Sequence, residues 1–349
     1  MRDRLPNEFG QWLATVWAPD FLPFPRPAGL TADELARRQR AFVWRHDPTG
    51  KWSRALRKAL GYHALAAVRA MFAGGAPPRG VLDALAMLAV RMPGRRRRVA
   101  HENLLRAFPE QSPEWRDAVW RRFLRTALDV LVQVLSLETD PPQRMRERVI
   151  IDGESHLREA LAAGRGAICL TAHFAAFPMT FTRLALDGWP SAVLIKRQRD
   201  PVFEQWWKHL RDRSGTVSIP DLPPLASARM SLAWLRAGGV ICMAGDQRAP
   251  GDAPLIPFFG HDVHTYPLPA RLALRTGAAI LPTLVDPPGP DGRQVMRIHP
   301  PLQPAVGAPA DVVVRKLLAD FHRVLEAEIR REPHAWWWVH NRFHRWTTA

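Results

Sequence analysis

The chain has 349 residues, 47% of them hydrophobic, so it is long enough for one large domain or two modest ones with a sizeable core. This composition excludes wholesale disorder, and two cysteines are too few for a disulfide framework. Lysine and arginine number 49 against 33 acidic residues, and the formal charge of +16 predicts an anionic partner, either a membrane surface or a nucleic acid. Fourteen tryptophans favour the membrane interface, although nucleic-acid binders also stack bases on aromatic rings.

Residues 1–98 form the first predicted region, an N-terminal arm followed by amphipathic, membrane-proximal helices. Apolar residues recur at helical spacing on both sides of the sequence GGAPPRG, which predicts two helices joined by a turn. Charged residues and prolines interrupt the most apolar stretch, residues 62–92, so it lacks the run of about 18 apolar residues that spans a bilayer. Arg91 and Arg95 to Arg98 follow, either as a polybasic patch for an anionic surface or as a solvated helix start.

Residues 99–349 form the second predicted region. Residues 99–138 have a helical pattern with a break at the sequence FPE, and from Val149 onward strands alternate with helices. The predicted strands contain VIIDG, GAICLT, SAVLIK, TVSI, VICMAG, AAILPTLV and QVMRI. The alternation predicts an α/β fold, a mixed sheet flanked by helices. Cys169 and Cys242 lie in two of these strands and are predicted to be buried apolar residues.

Two polar residues follow predicted buried strands and are the main candidates for chemistry. His173 comes after the strand GAICLT, and Asp246 comes after VICMAG. In α/β sheets reactive groups lie at this edge, where a neutral imidazole can act as a general base, although a lone histidine or aspartate there is often structural. Basic side chains suited to phosphate or carboxylate, or to simple surface exposure, are Lys196, Arg197, Arg211 and Arg213.

Several familiar motifs are missing. His261, Asp262 and His264 lie close together, but the sequence contains no HExxH motif and no Cys/His array, so no metal site is predicted. It also contains no G-x-G-x-x-G loop for a dinucleotide and no G-x-S-x-G elbow for a serine nucleophile.

Six segments, taken in order, resemble the bacterial lipid A lauroyl/myristoyl acyltransferases over about residues 95–345. They are RRVAHENLLRAFPE, IDGESHLREALAAGRGAICLTAHFAAF, DPVFEQWWKHLRDRSG, DQR with IPFFG, LPARLALRTGAAILPTLV, and HAWWWVHNRFH. The resemblance implies a glycerolipid-acyltransferase-like fold. It also implies transfer of a fatty acyl group from an acyl-carrier-protein or coenzyme A thioester to a hydroxyl of a lipid acceptor. The place implied is the cytoplasmic face of the inner membrane, and no metal or redox cofactor is required.

The same resemblance implies roles for particular residues. His173 matches the family's base, and Arg211 and Asp246 match its functional arginine and the acid that opens the DQ segment. Arg197, Arg213, Gln247 and Arg342 are expected to contact substrate. Peripheral rather than integral attachment is expected, because a polar arm and a broken amphipathic pair replace the family's apolar anchor.

Pro178 is the main departure from the family. The family has Glu or Asp five residues after the histidine, and this chain has a proline, which carries no charge and cannot accept a hydrogen bond from the imidazole. Three explanations are open: Asp246 or another carboxylate orients His173, His173 acts alone at a much reduced rate, or catalysis is lost and the protein binds lipid or acyl carrier. Nucleic-acid binding rests on charge alone and is disfavoured by the motif order.

Overall fold

A computed structural model describes residues 94–196, 201–221, 224–289 and 291–343, together with residue 80. The predicted N-terminal arm and amphipathic helices, residues 1–98, lie almost entirely outside the described residues. The fold described below therefore corresponds to the second predicted region.

Within these ranges there are nine helices and nine strands. The helices are α1 (Arg95–Ala107), α2 (Pro113–Ser136), α3 (Pro142–Arg148), α4 (Glu154–Ala162), α5 (Pro178–Leu186), α6 (Pro201–Ser214), α7 (Pro224–Arg236), α8 (Leu268–Thr276) and α9 (Ala310–Arg331). The strands are β1 (Val149–Asp152), β2 (Ala167–Thr171), β3 (Ser191–Ile195), β4 (Val217–Pro220), β5 (Val240–Ala244), β6 (Leu255–Phe258), β7 (His261–His264), β8 (Ala279–Val285) and β9 (Gln294–Ile298).

Seven strands form one sheet in the order β1–β9–β8–β2–β5–β3–β4, and β6 and β7 form a separate hairpin. All neighbours in the large sheet are parallel except β8 and β9, which pair antiparallel. The predicted α/β class with a mixed, helix-flanked sheet is confirmed. The predicted strands are all present, and the break between α1 and α2 falls at the FPE sequence.

The centre of the sheet is its most deeply buried part. Every residue of β2 is buried, as are four of the five in β5, and Cys169 pairs in register with Cys242. A parallel strand covered on both faces needs such a continuous apolar run. Both cysteines are free thiols in the core, as predicted.

Helices and the hairpin complete the layers. Helix α2 begins where the Ser112 side chain accepts the N–H of Trp115 and Pro113 occupies the first helical position, where its missing N–H costs nothing. Helix α9 buries one apolar face, which includes Leu317 and Phe321, and it contacts β6. No helix of the described ranges has both the length and the apolar character needed to cross a membrane.

Helix α3, helix α5 and the β6–β7 hairpin were not predicted from the sequence. Helix α5 begins at Pro178, directly after the loop that carries His173. The β6–β7 hairpin turns through Phe259 and Gly260, both with positive φ, and the Glu326 carboxylate accepts the Phe259 N–H at 2.7 Å. A Phe-Gly turn is a weaker sequence signal than Asn-Gly, and here a distant side chain supports it.

Candidate functional site

His173 and Asp246 are brought to the same edge of the sheet by the pairing of β2 with β5. Thr171 and Ala244 are register partners at the carboxyl ends of these strands. Each candidate residue lies two positions beyond its strand, so both side chains emerge side by side. Two deeply buried neighbouring strands therefore position the two residues.

The carboxylate of Asp246 holds His173 at two points. Its Oδ1 lies 2.9 Å from His173 Nδ1, and its Oδ2 accepts the His173 main-chain N–H at 3.0 Å. Oδ2 also accepts the indole N–H of Trp336 at 2.9 Å. Asp246 is only 2% exposed, whereas the His173 side chain is 21% exposed. A buried, fully bonded carboxylate thus supports an imidazole that substrate can reach.

The two groups shift each other's protonation. Burial disfavours the charged form of Asp246, but the charge of His173 and the hydrogen bonds from it outweigh burial and bring the pKa of that carboxyl well below its usual range. Burial would lower the pKa of His173, but the Asp246 charge and hydrogen bond raise it above its ordinary value. Asp246 is therefore ionised at neutral pH and stabilises the imidazolium form of His173.

The free face of the imidazole carries Nε2. With Asp246 accepting a proton from Nδ1, the neutral ring has its lone pair on Nε2, which is the atom that can take a proton from an acceptor group. The side-chain amide nitrogen of Gln247 lies 3.1 Å from this Nε2. A substrate hydroxyl that reaches Nε2 must displace Gln247.

Pro178 lies at the first position of α5, where proline fits well. It is buried, and the ring of its neighbour Phe177 lies 4.6 Å from the His173 ring. No carboxylate comes from this position. Of the explanations considered for the missing acid, the geometry favours Asp246 as the carboxylate that orients His173.

Arg211 lies in the protein interior, in an ion pair of its own. It is 5% exposed, and its guanidinium donates to Ser218 Oγ at 2.7 Å and to the Glu204 carboxylate at 3.1 Å. Burial lowers its pKa, and Glu204 opposes the shift. The Ser218 contact joins α6 to β4, the Glu204 contact lies within α6, and neither involves His173 or Asp246.

The other predicted basic residues have different positions. Arg213 is on the exposed side of α6 and donates to the main-chain oxygen of Leu137 at 3.2 Å. Lys196 follows β3, and Arg197 lies outside the described residues.

Arg342 is buried, at 1% exposed, and bonds several loops at once. Its guanidinium donates to the main-chain oxygens of Gln247 at 3.1 Å and His264 at 2.6 Å, and to Thr265 Oγ1 at 2.9 Å. Burial lowers its pKa to about 10, with Asp246 opposing. The geometry favours a role in holding the Gln247 loop against the hairpin over the direct substrate contact expected from the sequence.

Sequence reasoning missed three residues that support the site. Trp336 donates to Asp246, His340 Nε2 accepts the Arg248 main-chain N–H at 3.0 Å, and Asn103 donates to the main-chain oxygens of Trp338 and His340 at 2.7 and 2.6 Å. The fold is needed to find these pairings, because each of them joins residues 90 to 237 positions apart in the chain.

The histidines of the hairpin bond protein oxygens. His261 Nε2 lies 3.3 Å from the Arg106 main-chain oxygen, and His264 Nδ1 lies 2.8 Å from that of Ala253. Within the part of the chain that the structure describes, no group of three His, Cys, Asp or Glu side chains could hold a metal ion.

Comparison with known proteins identifies the family of the chain. The sequence profile of the bacterial lipid A biosynthesis acyltransferases matches residues 50–345. The chain belongs to this family. The resemblance inferred from the six segments is thereby confirmed, and the family match extends into the residues before α1.

Individual acyltransferases are similar to this chain at modest identity. The lipid A biosynthesis lauroyltransferase of Escherichia coli K12 is 25% identical over 74% of this chain and 82% of its own length. The myristoyltransferase of the same organism is 22% identical over 74% and 78%. A phosphatidylinositol mannoside acyltransferase of Mycobacterium tuberculosis is 28% identical over 38% and 43%. The first two relatives are both named for lipid A biosynthesis and differ in the acyl group of their names, whereas the third is named for phosphatidylinositol mannoside.

Proposed function

We propose that the protein transfers a fatty acyl group from an acyl-carrier-protein or coenzyme A thioester to a hydroxyl, or an amine, of a lipid or glycolipid acceptor. Family membership supports acyl transfer to a lipid. The observation that carries the proposal for this chain is the 2.9 Å contact of Asp246 Oδ1 with His173 Nδ1, which leaves Nε2 of a partly exposed imidazole for the acceptor once Gln247 is displaced.

The arrangement fits general-base catalysis of acyl transfer. His173 Nε2 removes the proton of the acceptor O–H as that oxygen attacks the thioester carbonyl carbon. The C–S bond then breaks, the ester is formed, and the imidazolium returns its proton to the leaving thiolate. Asp246 keeps the ring in the required tautomer and stabilises the imidazolium between the two steps. All of these steps proceed without a metal or redox cofactor.

Gln247 lies where the acceptor hydroxyl is expected to bind. Its amide donates to the same Nε2 that the acceptor hydroxyl must approach. We assign it to acceptor binding, since its amide now occupies the position next to Nε2 that the acceptor hydroxyl must take. Arg213 and Arg197 are assigned to anionic groups of the substrates on their charge.

A second function is open to this chain because of Pro178. Loss of the family's acid is the change expected of a homologue that keeps lipid or acyl-carrier binding and has lost turnover. The Asp246 contact with His173 favours the enzyme, because a bonded, ionised carboxylate supplies what Pro178 lacks.

We place the protein at the cytoplasmic face of the inner membrane as a peripheral protein. Its charge of +16 supports contact with anionic lipid. Helix α1 begins with Arg95 to Arg98, and its first turn contains no acidic residue. Four cations at the positive end of a helix dipole repel it and each other, and an anionic surface would relieve this cost.

Purified protein incubated with acyl-carrier thioesters and a total lipid extract tests the proposal. Mass spectrometry should detect a new acylated lipid with the wild type and none with His173→Ala, whose folding is checked by circular dichroism. Equal product from both proteins would exclude His173 as the base. Binding of lipid or carrier with no product from either would establish the second function instead.

A further inference from the structure

The segment 335–342, called the C-terminal strap here, bonds both loops of the proposed active site. The Trp337 main-chain N–H donates to the His173 oxygen at 2.9 Å, and the Ala335 oxygen accepts the Ala175 N–H at 2.7 Å. Ala175 has a φ of 37°, an uncommon value for a residue with a Cβ, so the strap holds a strained turn in place. The indole of Trp336 reaches across to Asp246 on the other loop.

The indole N–H of Trp336 is fixed by its surroundings. Trp336 is completely buried, with the Trp338 ring at 4.7 Å and the Phe258 ring at 5.5 Å, both edge-on. A packed ring cannot turn its N–H elsewhere, so the donor is aimed permanently at Asp246 Oδ2.

Asp246 depends on such anchors because of its position. Its carboxylate could rotate about the Cβ–Cγ bond and lose the hydrogen bond between Oδ1 and His173 Nδ1. Two donors on Oδ2, the His173 main-chain N–H and the Trp336 indole, fix the carboxylate plane and leave Oδ1 for the ring. In the described part of the chain, Asp246 is the one carboxylate bonded to His173.

We propose that Trp336 is a positioning residue of the active site, whose indole N–H fixes the rotation of the Asp246 carboxylate and shares its negative charge, making a His173–Asp246–Trp336 triad. The proposal rests on the proposed function for its role in turnover. The physical effect on the pair exists whether or not the protein is an enzyme.

Removing the indole donor has two consequences. The carboxylate charge becomes more concentrated on the oxygens that face His173, so the imidazolium is stabilised further and the pKa of His173 rises. The carboxylate is also freer to rotate, so fewer molecules hold the ring in its productive orientation. A merely structural tryptophan would produce neither effect on the titration of His173.

Trp336→Phe tests the triad, and Trp234→Phe is its matched control. Trp234 is also buried and donates its indole N–H, but to the Val240 main-chain oxygen at 3.0 Å, and it does not belong to the C-terminal strap. The pKa of His173 is measured by NMR on 13C-histidine protein, with the resonance assigned through His173→Gln. We expect an upward shift of about half a pH unit or more in Trp336→Phe and none in Trp234→Phe. We also expect kcat to fall on the order of 10-fold in Trp336→Phe alone.

An unchanged His173 pKa in folded Trp336→Phe, or the same shift in both variants, would overturn the proposal. If Trp336→Phe does not fold, benzothienylalanine at position 336 keeps the two-ring shape without the N–H, and the same shift is expected. Failure of the proposed function would appear separately, as wild-type protein without turnover, while the titration of His173 would still decide the role of the indole.

Discussion

At the scale of single residues, the partner of each buried charge shows whether that residue belongs to the site. The Asp246 carboxylate meets a histidine that substrate can reach, whereas the Arg211 guanidinium meets a buried glutamate. Sequence position alone gave both residues similar standing as catalytic candidates. Their surroundings separate them, because a group that acts on substrate needs an accessible face.

Arg211→Met should lower the stability of the fold, without removing a residue that takes part in acyl transfer. It leaves the Glu204 carboxylate buried without its Arg211 partner, and we expect the free energy of unfolding to fall by about 3–5 kcal/mol. Arg213→Met, on the exposed side of the same helix, is the control and should change it by about 0.5 kcal/mol or less. Chemical denaturation measures both variants.

The double variant Glu204→Gln/Arg211→Met should recover much of the lost stability, since no uncompensated charge remains. A folded, fully stable Arg211→Met protein that has lost acyl transfer would contradict this view and return Arg211 to the catalytic group.

At the scale of elements, hydrophobic patterning predicted the strands of the large sheet well, and it missed elements outside that sheet such as helix α5 and the β6–β7 hairpin. Buried strands such as β2 and β5 can be recognised in the sequence as short apolar runs that begin directly after a glycine. Helix α5 follows a histidine loop and begins with a proline, a signal shared by turns and helix starts. Hydrophobic periodicity also cannot reveal the order of the strands in the sheet. The C-terminal strap bonds the loops after β2 and β5, which are neighbours only because of that order. The pairing of Asp246 with His173 needed the register of β2 with β5.

Gly153 between β1 and α4 tests how tightly the edge of the sheet is built. It has a φ of +82°, and a Cβ there would lie 2.1 Å from the Ile298 main-chain oxygen. Gly153→Ala should therefore lower the free energy of unfolding by about 3 kcal/mol or more, from the backbone strain and the clash together.

Gly164→Ala is the matched control for Gly153→Ala. Gly164 has a φ of +72° and open space around its Cα, so only the strain, about 1–2 kcal/mol, applies. Thermal unfolding of both variants gives the difference. Equal losses would show that β1 and β9 move apart easily at this point.

At the scale of the whole molecule, charge and composition pointed toward an anionic surface, and the described fold supplies one exposed basic stretch at the start of α1. Arg95, Arg96 and Arg98 are exposed there, and Arg97 pairs with Asp117. A surface that binds by charge loses affinity as salt rises.

The protein should sediment with vesicles that contain phosphatidylglycerol and not with phosphatidylcholine vesicles, and 0.5 M NaCl should release it. Arg95→Gln/Arg98→Gln should weaken binding by about 30-fold, at about 1 kcal/mol for each of the two charges near the surface. Arg271→Gln/Arg275→Gln, two exposed arginines of α8, is the control of equal charge. Equal weakening by both pairs would mean that net charge, and not α1, directs binding.

The central claim is that the Asp246 carboxylate orients His173 in place of the family's acidic residue, whose position is occupied by Pro178 in this chain. It is tested most directly by kcat/KM for acyl transfer against pH, for the wild type and Asp246→Asn, with exposed Asp262→Asn as control. Because Asp246 raises the pKa of His173, its loss should move the acid limb to lower pH, and kcat should fall by about 10²–10⁴-fold through loss of the ring's orientation. Unchanged kcat and an unmoved acid limb in folded Asp246→Asn would contradict the account.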